Sequence, residues 1–261
     1  VSRCAVLGTA LVLLLAGCGG SADGDAAATP SDDPAGPSGT LTVFAAASLT
    51  DVFPDLGERL EADHPGLDVQ FNFAGSSALA TQITQGAPAD VFASANGSQM
   101  AVVTDAGLAA GEPRVFAANV LQLAVPAGNP AGVTGLADLA REELAVALCA
   151  PQVPCGAAAE DVLAAAGVTA APDTFEEDVR AALTKVELGE VDAALVYRTD
   201  VTAAGDAVEG IDVPEAEQAV NDYPVAVLAD APNPEAAAAF VELVRSEEGQ
   251  QALEDAGFRV P

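Results

Sequence analysis

Leu41-Thr42-Val43-Phe44-Ala45-Ala46-Ala47-Ser48-Leu49 opens a run of three short apolar strands. The next two are Leu67-Asp68-Val69-Gln70-Phe71-Asn72-Phe73 and Asp90-Val91-Phe92-Ala93-Ser94-Ala95, each spaced to leave room for one helix. The first helix is expected from about Leu49 to Asp63, where His64-Pro65-Gly66 stops it, and the second from Ala78 to Gln85, ahead of the break Gly86-Ala87-Pro88. The pattern is βαβαβ, which predicts a sheet of parallel strands with helices on both faces.

A similar unit follows downstream: a strand at Glu143–Leu148, a helix at Gly156–Ala166, a helix ending at Gly189, and a strand at Val191–Tyr197. Val120–Pro126 lies between the units and Tyr223–Leu228 after the second, so these two apolar strands are where the chain is expected to cross between lobes. The tail, Pro234–Ala256, has helical spacing at Ala238, Val241, Leu243 and Leu253 and is expected to return to the first lobe. The reading is two α/β lobes, the second inserted into the first. No short-period repeat points to a solenoid.

At 261 residues, 51% hydrophobic and 4% aromatic, the chain is long and apolar enough for one or two ordinary cores. Its 39 Asp and Glu against 9 Lys and Arg give a formal net charge of -30, which repels nucleic-acid phosphate and anionic headgroups. Val1-Ser2-Arg3-Cys4 leads into an apolar run to Ala16, the layout of a secretory signal and too short to span a bilayer comfortably. The run ends in Leu15-Ala16-Gly17-Cys18, which resembles the lipobox of bacterial lipoproteins. That resemblance implies a signal peptide over 1–17 and lipidation of Cys18, against a soluble secreted protein cut nearby. Residues 18–39 carry the cysteine and a flexible Gly, Ser, Ala, Asp and Pro-rich tether, so the folded part is expected to start near Thr40.

Two cysteines then remain, in Cys149-Ala-Pro-Gln-Val-Pro-Cys155. Export favours a local disulfide between Cys149 and Cys155. A metal site is the competing reading, and two thiols without a nearby His or further Cys fall short of a zinc shell.

Four segments place Ser or a bare N–H where a strand turns into a helix: Ala45–Ser48, Ala74–Ser77, Pro154–Gly156 and Glu177–Val179. Helix N-termini carry unpaired N–H groups and partial positive charge, so several converging on one cleft can hold an anion without Lys or Arg. Ser48 taken alone reads equally as an N-cap in a capping box with Asp51. Position favours the functional reading, because ligands of open α/β sheets sit beyond the carboxyl ends of the strands, where Ser48 and Ser76 fall. Gly75 would let the backbone approach a ligand.

Val43–Thr50, Phe73-Ala-Gly-Ser-Ser77, Gly86-Ala-Pro-Ala-Asp-Val-Phe92, Glu177-Asp-Val-Arg180, Gly189–Tyr197 and Tyr223-Pro-Val-Ala-Val227 together resemble the molybdate-binding lipoproteins and periplasmic proteins of ABC importers. The resemblance runs from about Thr40 to Pro261. It implies a two-lobed α/β fold of the periplasmic-binding-protein type II, each lobe a mixed, mostly parallel sheet flanked by helices. Lobe 1 would comprise 40–122 plus 223–261, and lobe 2 would comprise 123–222. It also implies hydroxyl and N–H donors from Ser48 and Ser76, backbone N–H from Cys155 and Val179, and the phenol of Tyr197. Cys155 departs from the family, which often has Ala there, but a main-chain donor leaves the side chain free to change.

Tyr197 without the resemblance reads equally as a core tyrosine with its hydroxyl at the rim. The Val179 side chain reads as core packing. Asp51, Glu176, Glu177 and Asp178 are expected to face solvent, where they favour helix termini. Molybdate and tungstate are proton-free tetrahedral dianions, so a pocket of donors alone suits them, while monohydrogen phosphate carries a proton that wants an acceptor. Sulfate is proton-free too, so its rejection rests on size.

The implied function is a binding lipoprotein, held on the outer face of the cell membrane through Cys18, that delivers molybdate, and tungstate with it, to an ABC permease. It would work as a monomer, without a cofactor, nucleic acid, or any metal beyond that of the oxyanion. The competing readings are a binder of another oxyanion such as sulfate, and a secreted serine hydrolase using Ser48 or Ser76. Enzyme readings are poorly supplied: the chain has one His, His64, in a turn, and one Lys, Lys185, on the polar side of its helix. It has neither a phosphate loop with Lys nor a G-x-S-x-G turn. Acidic runs such as Glu176–Asp178 and Glu247-Glu248 read as solvated faces rather than calcium chelators.

Overall fold

β1 (Gly39–Ala46) is buried from Val43 to Ala46, with a near-continuous apolar run because helices cover both of its faces. The chain then takes a 3-10 turn (Ala47–Leu49) into α1 (Phe53–Asp63), which turns Phe53, Leu56 and Leu60 inward and ends at His64, just before Pro65. β2 (Leu67–Ala74), α2 (Ser76–Thr84), β3 (Val91–Ala93), α3 (Gly97–Asp105) and β4 (Arg114–Asn119) complete the first pass. One residue, Val120, separates β4 from β5 (Leu121–Pro126). The second series runs β6 (Val146–Cys149), α4 (Pro154–Ala166), β7 (Thr174–Glu176), α5 (Val179–Glu187), β8 (Ala193–Tyr197), α6 (Arg198–Ala204) and β9 (Val208–Ile211). The chain returns through a 3-10 turn (Pro214–Gln218) into β10 (Asn221–Val227), then α7 (Pro234–Arg245) and α8 (Glu247–Asp255). These elements belong to a computed structural model that describes residues 36–261; the signal segment 1–17, Cys18 and the tether up to residue 35 lie outside the described residues.

Two five-stranded sheets result, in the orders β2-β1-β3-β10-β4 and β7-β6-β8-β5-β9. β1 pairs in parallel with β2 and β3, and β6 with β7 and β8. In each sheet the strand that follows a crossing runs antiparallel to its neighbours: β10 against β3 and β4, β5 against β8 and β9. Both sheets are therefore mixed, as the resemblance implied. A strand delivered from the other sheet is free of the crossover helix that makes βαβ strands parallel.

Alternation along β1 splits the first lobe's core between two faces. Leu41, Val43 and Ala45 join Phe53, Phe116 and Phe240 on one side, while Phe44 joins Leu79, Phe92 and Met100 on the other. The second sheet has one large core around Leu123, Val146, Leu195 and Leu183. The tail packs on the first core but splits in two at Ser246, whose hydroxyl accepts from Gly249 N–H and starts α8. Its buried positions are Ala236, Ala237, Phe240, Val244, Gly249 and Leu253. That corrects the expected face: Ala238 is exposed and Val241 and Leu243 are half-buried, because Phe240 and not Val241 meets the aromatic cluster of Phe53.

Candidate functional site

Four chain segments stop at the carboxyl ends of strands and open toward one cleft. After β1 comes the turn holding Ser48; after β2, α2 begins at Ser76; after β6, Pro154 and Cys155 open α4; after β7, Val179 opens α5. The first backbone bonds of α2, α4 and α5 are donated by Ala78, Ala157 and Ala182, so Ser76, Cys155 and Val179 stand ahead of the first bonded N–H. With Tyr197 at the end of β8, all five expected residues line one small cleft, together with Ala46, Ala47, Gly75, Ala95, Val153, Pro154 and Asp178. Ser48, Ser76, Cys155, Val179 and Tyr197 are each 4% exposed or less, so groups there are nearly dry.

The hydroxyls have distinct local roles. Ser48 does not cap a helix: the residue before its turn is Ala46, without a side-chain cap, and Ser48 Oγ lies 2.8 Å from the Tyr223 hydroxyl. The capping-box reading fails because the chain makes a short 3-10 turn here and α1 starts only at Phe53. Ser76 Oγ accepts from Ala95 N–H at 3.0 Å. Tyr197 Oη is buried and has no hydrogen-bond partner. Burial first, and then the Tyr223 and Asp200 groups nearby, hold its pKa well above the usual tyrosine value, so it stays a protonated donor. A fully buried hydroxyl without a partner costs about 1–3 kcal/mol, and a ligand oxygen removes that cost.

The Cys149–Cys155 pair is a disulfide, with Cα atoms 5.7 Å apart. It ties the end of β6 to the first turn of α4, where the Cys155 N–H lies. Among the described residues no group of three or more His, Cys, Asp or Glu could hold a metal ion.

The acidic neighbours divide. Glu177 is exposed, and Asp51 is exposed and paired with Arg180 Nη1 at 2.9 Å. Asp178 departs from the expectation by lining the cleft, and its Oδ1 accepts from Ala181 N–H at the start of α5. Glu176 departs as well: its side chain is 15% exposed, and it accepts from Thr174 and lies 3.7 Å from Lys185.

Sequence reading missed Asp200, Arg180 and Tyr223. Asp200 is 1% exposed, accepts from Tyr197 N–H at 3.0 Å and lies 3.6 Å from Arg180. Burial pushes its carboxyl up to about 7, against the opposing pull of Arg180 and the Tyr197 N–H. The Arg-Thr-Asp run after Tyr197 was the available signal, since a polar run straight after a buried strand needs partners. Tyr223 stands in the sequence only as part of a strand and of the motif Tyr223–Val227, with no sign of its contact with Ser48.

The lobes meet closely around the cleft. Arg180 of α5 joins Asp51 beside the Ser48 turn, Asn119 Nδ2 donates to Thr199 Oγ1 at 2.8 Å, and Gln99 Nε2 donates to the Gln152 carbonyl at 3.0 Å. A Cβ on Gly75 would overlap the Glu177 carbonyl of the facing lobe.

Residues 41–259 match the model of the bacterial extracellular solute-binding protein family. The chain is 43% identical over 254 residues to the molybdate-binding protein ModA of Mycobacterium tuberculosis, covering 96% of this chain and 95% of that one. Among solved structures it resembles the periplasmic molybdate-binding protein of Azotobacter vinelandii, with a TM-score of 0.71 and 20% identity over 85% of this chain and 99% of that one. It also resembles the sulfate-binding protein SubI of M. tuberculosis, with a TM-score of 0.73 and 20% identity over 85% of this chain and 86% of that one. At that identity both structural likenesses speak for the fold alone.

Proposed function

The chain belongs to the bacterial extracellular solute-binding proteins, and we propose that it captures molybdate, and tungstate with it, between its two lobes for delivery to an ABC permease. The observation that carries this reading is the Tyr197 hydroxyl, buried and without a partner, at the point where helix starts from both lobes converge. Such a site is rich in donors: Ser48 and Ser76 supply O–H, the starts of α2, α4 and α5 supply N–H, and Asp178 Oδ1 is turned to its own helix. A tetrahedral dianion fits it, whereas a protonated oxyanion leaves its own O–H unmatched. The 43% identity to a molybdate-binding protein over nearly the whole chain supports the same ligand.

The net charge of -30 need not oppose binding, because local dipoles set the field inside a dry cleft. The site residues are Ser48, Ser76, Cys155, Val179 and Tyr197. Lobe 1 (40–122 plus 223–261) and lobe 2 (123–222) close over the ligand, and the closed form is what the permease recognises. The protein acts as a binder and not an enzyme, as a monomer, held outside the membrane by lipid on Cys18. Among the described residues no helix is long and apolar enough to cross a membrane.

A thermal-shift panel tests the ligand. A true ligand at a thousandfold excess over Kd adds about 4 kcal/mol of stability. A shift with molybdate and tungstate is expected; silence with these and a shift with sulfate would overturn the choice.

A further inference from the structure

The two site serines share a feature that neither helix starts nor charge explain: each hydroxyl oxygen is already hydrogen-bonded within the protein. Ser76 Oγ accepts from Ala95 N–H at 3.0 Å. Ser48 Oγ lies 2.8 Å from the hydroxyl of Tyr223, which belongs to β10, 175 residues along the chain, and is fully buried. Either oxygen of that second pair could donate on geometry alone.

Chemistry fixes the direction. A phenol O–H is a stronger donor than an alkyl O–H, and the phenol oxygen is the weaker acceptor because its lone pair is drawn into the ring. A serine carries one proton. If Ser48 gave it to Tyr223, its oxygen would face an anion with lone pairs only. If Tyr223 gives its proton to Ser48, the Ser48 proton is free for the ligand, as the Ala95 N–H leaves that of Ser76 free.

We propose that Tyr223 is a positioning and specificity-determining residue: it donates to Ser48 Oγ, fixes the Ser48 hydroxyl as a donor toward the cleft, and so removes an acceptor that a protonated oxyanion would use. The proposal rests on the reading of the cleft as a molybdate site. Tyr223 touches Ser48 and not the ligand, and its ring meets that of Tyr197 edge to face at 6.0 Å between centroids. Burial raises its hydroxyl above the ordinary tyrosine range, against the opposing pull of Ser48, Asn119 and Tyr197, so the phenol keeps its proton.

The test is calorimetry with molybdate and with inorganic phosphate on the parent, Tyr223→Phe, Ser48→Ala and the double variant. Tyr223→Phe is expected to weaken molybdate roughly tenfold. The ratio of molybdate to phosphate affinity falls with it, because the freed Ser48 lone pair accepts the phosphate proton. In the Ser48→Ala background the same substitution changes molybdate affinity by less than about twofold, since Tyr223 then has nothing to orient. A purely structural tyrosine would instead cost the same in both backgrounds. Tighter or unchanged molybdate binding in Tyr223→Phe, or equal losses in both backgrounds, overturns the proposal.

If Tyr223→Phe melts well below the parent, the question passes to the unaltered residue. The chain has two tyrosines and no tryptophan, so in Tyr197→Phe the emission comes from Tyr223. Saturating molybdate is expected to change that emission, and to leave it unchanged once Ser48 is also Ala. An unresponsive Tyr223 in Tyr197→Phe overturns the proposal. A parent that binds no molybdate overturns the site reading itself and the proposal with it, an outcome distinct from a parent that binds and a Tyr223→Phe that binds equally.

Discussion

Tyr197 carries a cost in the empty protein that becomes a gain in the occupied one. Its buried, unpartnered hydroxyl predicts opposite signs for one substitution. Tyr197→Phe weakens molybdate by about 1–2 kcal/mol in calorimetry, yet raises the ligand-free melting temperature by removing an unsatisfied group. Asp200, directly behind Tyr197, predicts a pH effect. Its folded pKa of about 7 lies above the ordinary value of 3.8, so its contribution is fully present below about pH 4 and is lost as pH rises through 7. Asp200→Asn is therefore expected to melt above the parent at pH 8, by on the order of 1–2 kcal/mol, with the advantage shrinking toward pH 5. Chemical denaturation at the two pH values checks this. Strand-to-helix turns point to Ser48 and Ser76, whereas the roles of Cys155, Val179 and Tyr197 come from the resemblance to molybdate-binding proteins and not from a local pattern. Tyr223 and Asp200 were not legible in the sequence, since what matters in them is a partner 175 residues away or burial, and neither leaves a local pattern.

At the scale of elements, the cleft depends on loops held at fixed distances. Gly75 precedes α2 with φ -57 and ψ 133, a conformation open to any residue, so glycine is needed here for clearance and not for backbone freedom. Gly75→Ala should fold at the parent's melting temperature but prop the lobes apart at the Glu177 carbonyl. Molybdate binding at least tenfold weaker is expected, and parent-like affinity would show that the two loops do not need to meet. The Cys149–Cys155 bridge closes a short loop, with a sequence separation of 6, worth about 2 kcal/mol on chain entropy. Cys149→Ala/Cys155→Ala is expected to lose about that much in denaturant unfolding. The βαβαβ opening is readable because the central β1 and β3 are almost wholly apolar and the edge strand β2 alternates apolar residues with Asp68, Gln70 and Asn72. β4, β7 and β9 went unread: β7 has three residues, and β4 and β9 lie at the sheet edges, half-exposed and without a clean period.

At the scale of the molecule, both lobe crossings lie far in sequence and adjacent in space, with Asn119 paired to Asn221 in the ladder between β4 and β10. That pairing would serve as a two-strand hinge, with the Asn119–Thr199 contact beside it, while Arg180 with Asp51 and Gln99 with Gln152 also join the two lobes. The two apolar strands outside the βαβ units, β5 and β10, are the antiparallel members of their sheets, so the mixed character of each sheet comes from the crossings themselves. The central claim concerns what the closed cleft holds. Calorimetric titration of the protein with molybdate, set against sulfate and phosphate at equal concentration, tests it most directly. Saturable binding of one molybdate per chain is expected, at least tenfold tighter than sulfate and than phosphate; absence of molybdate binding, or sulfate bound more tightly, would contradict it.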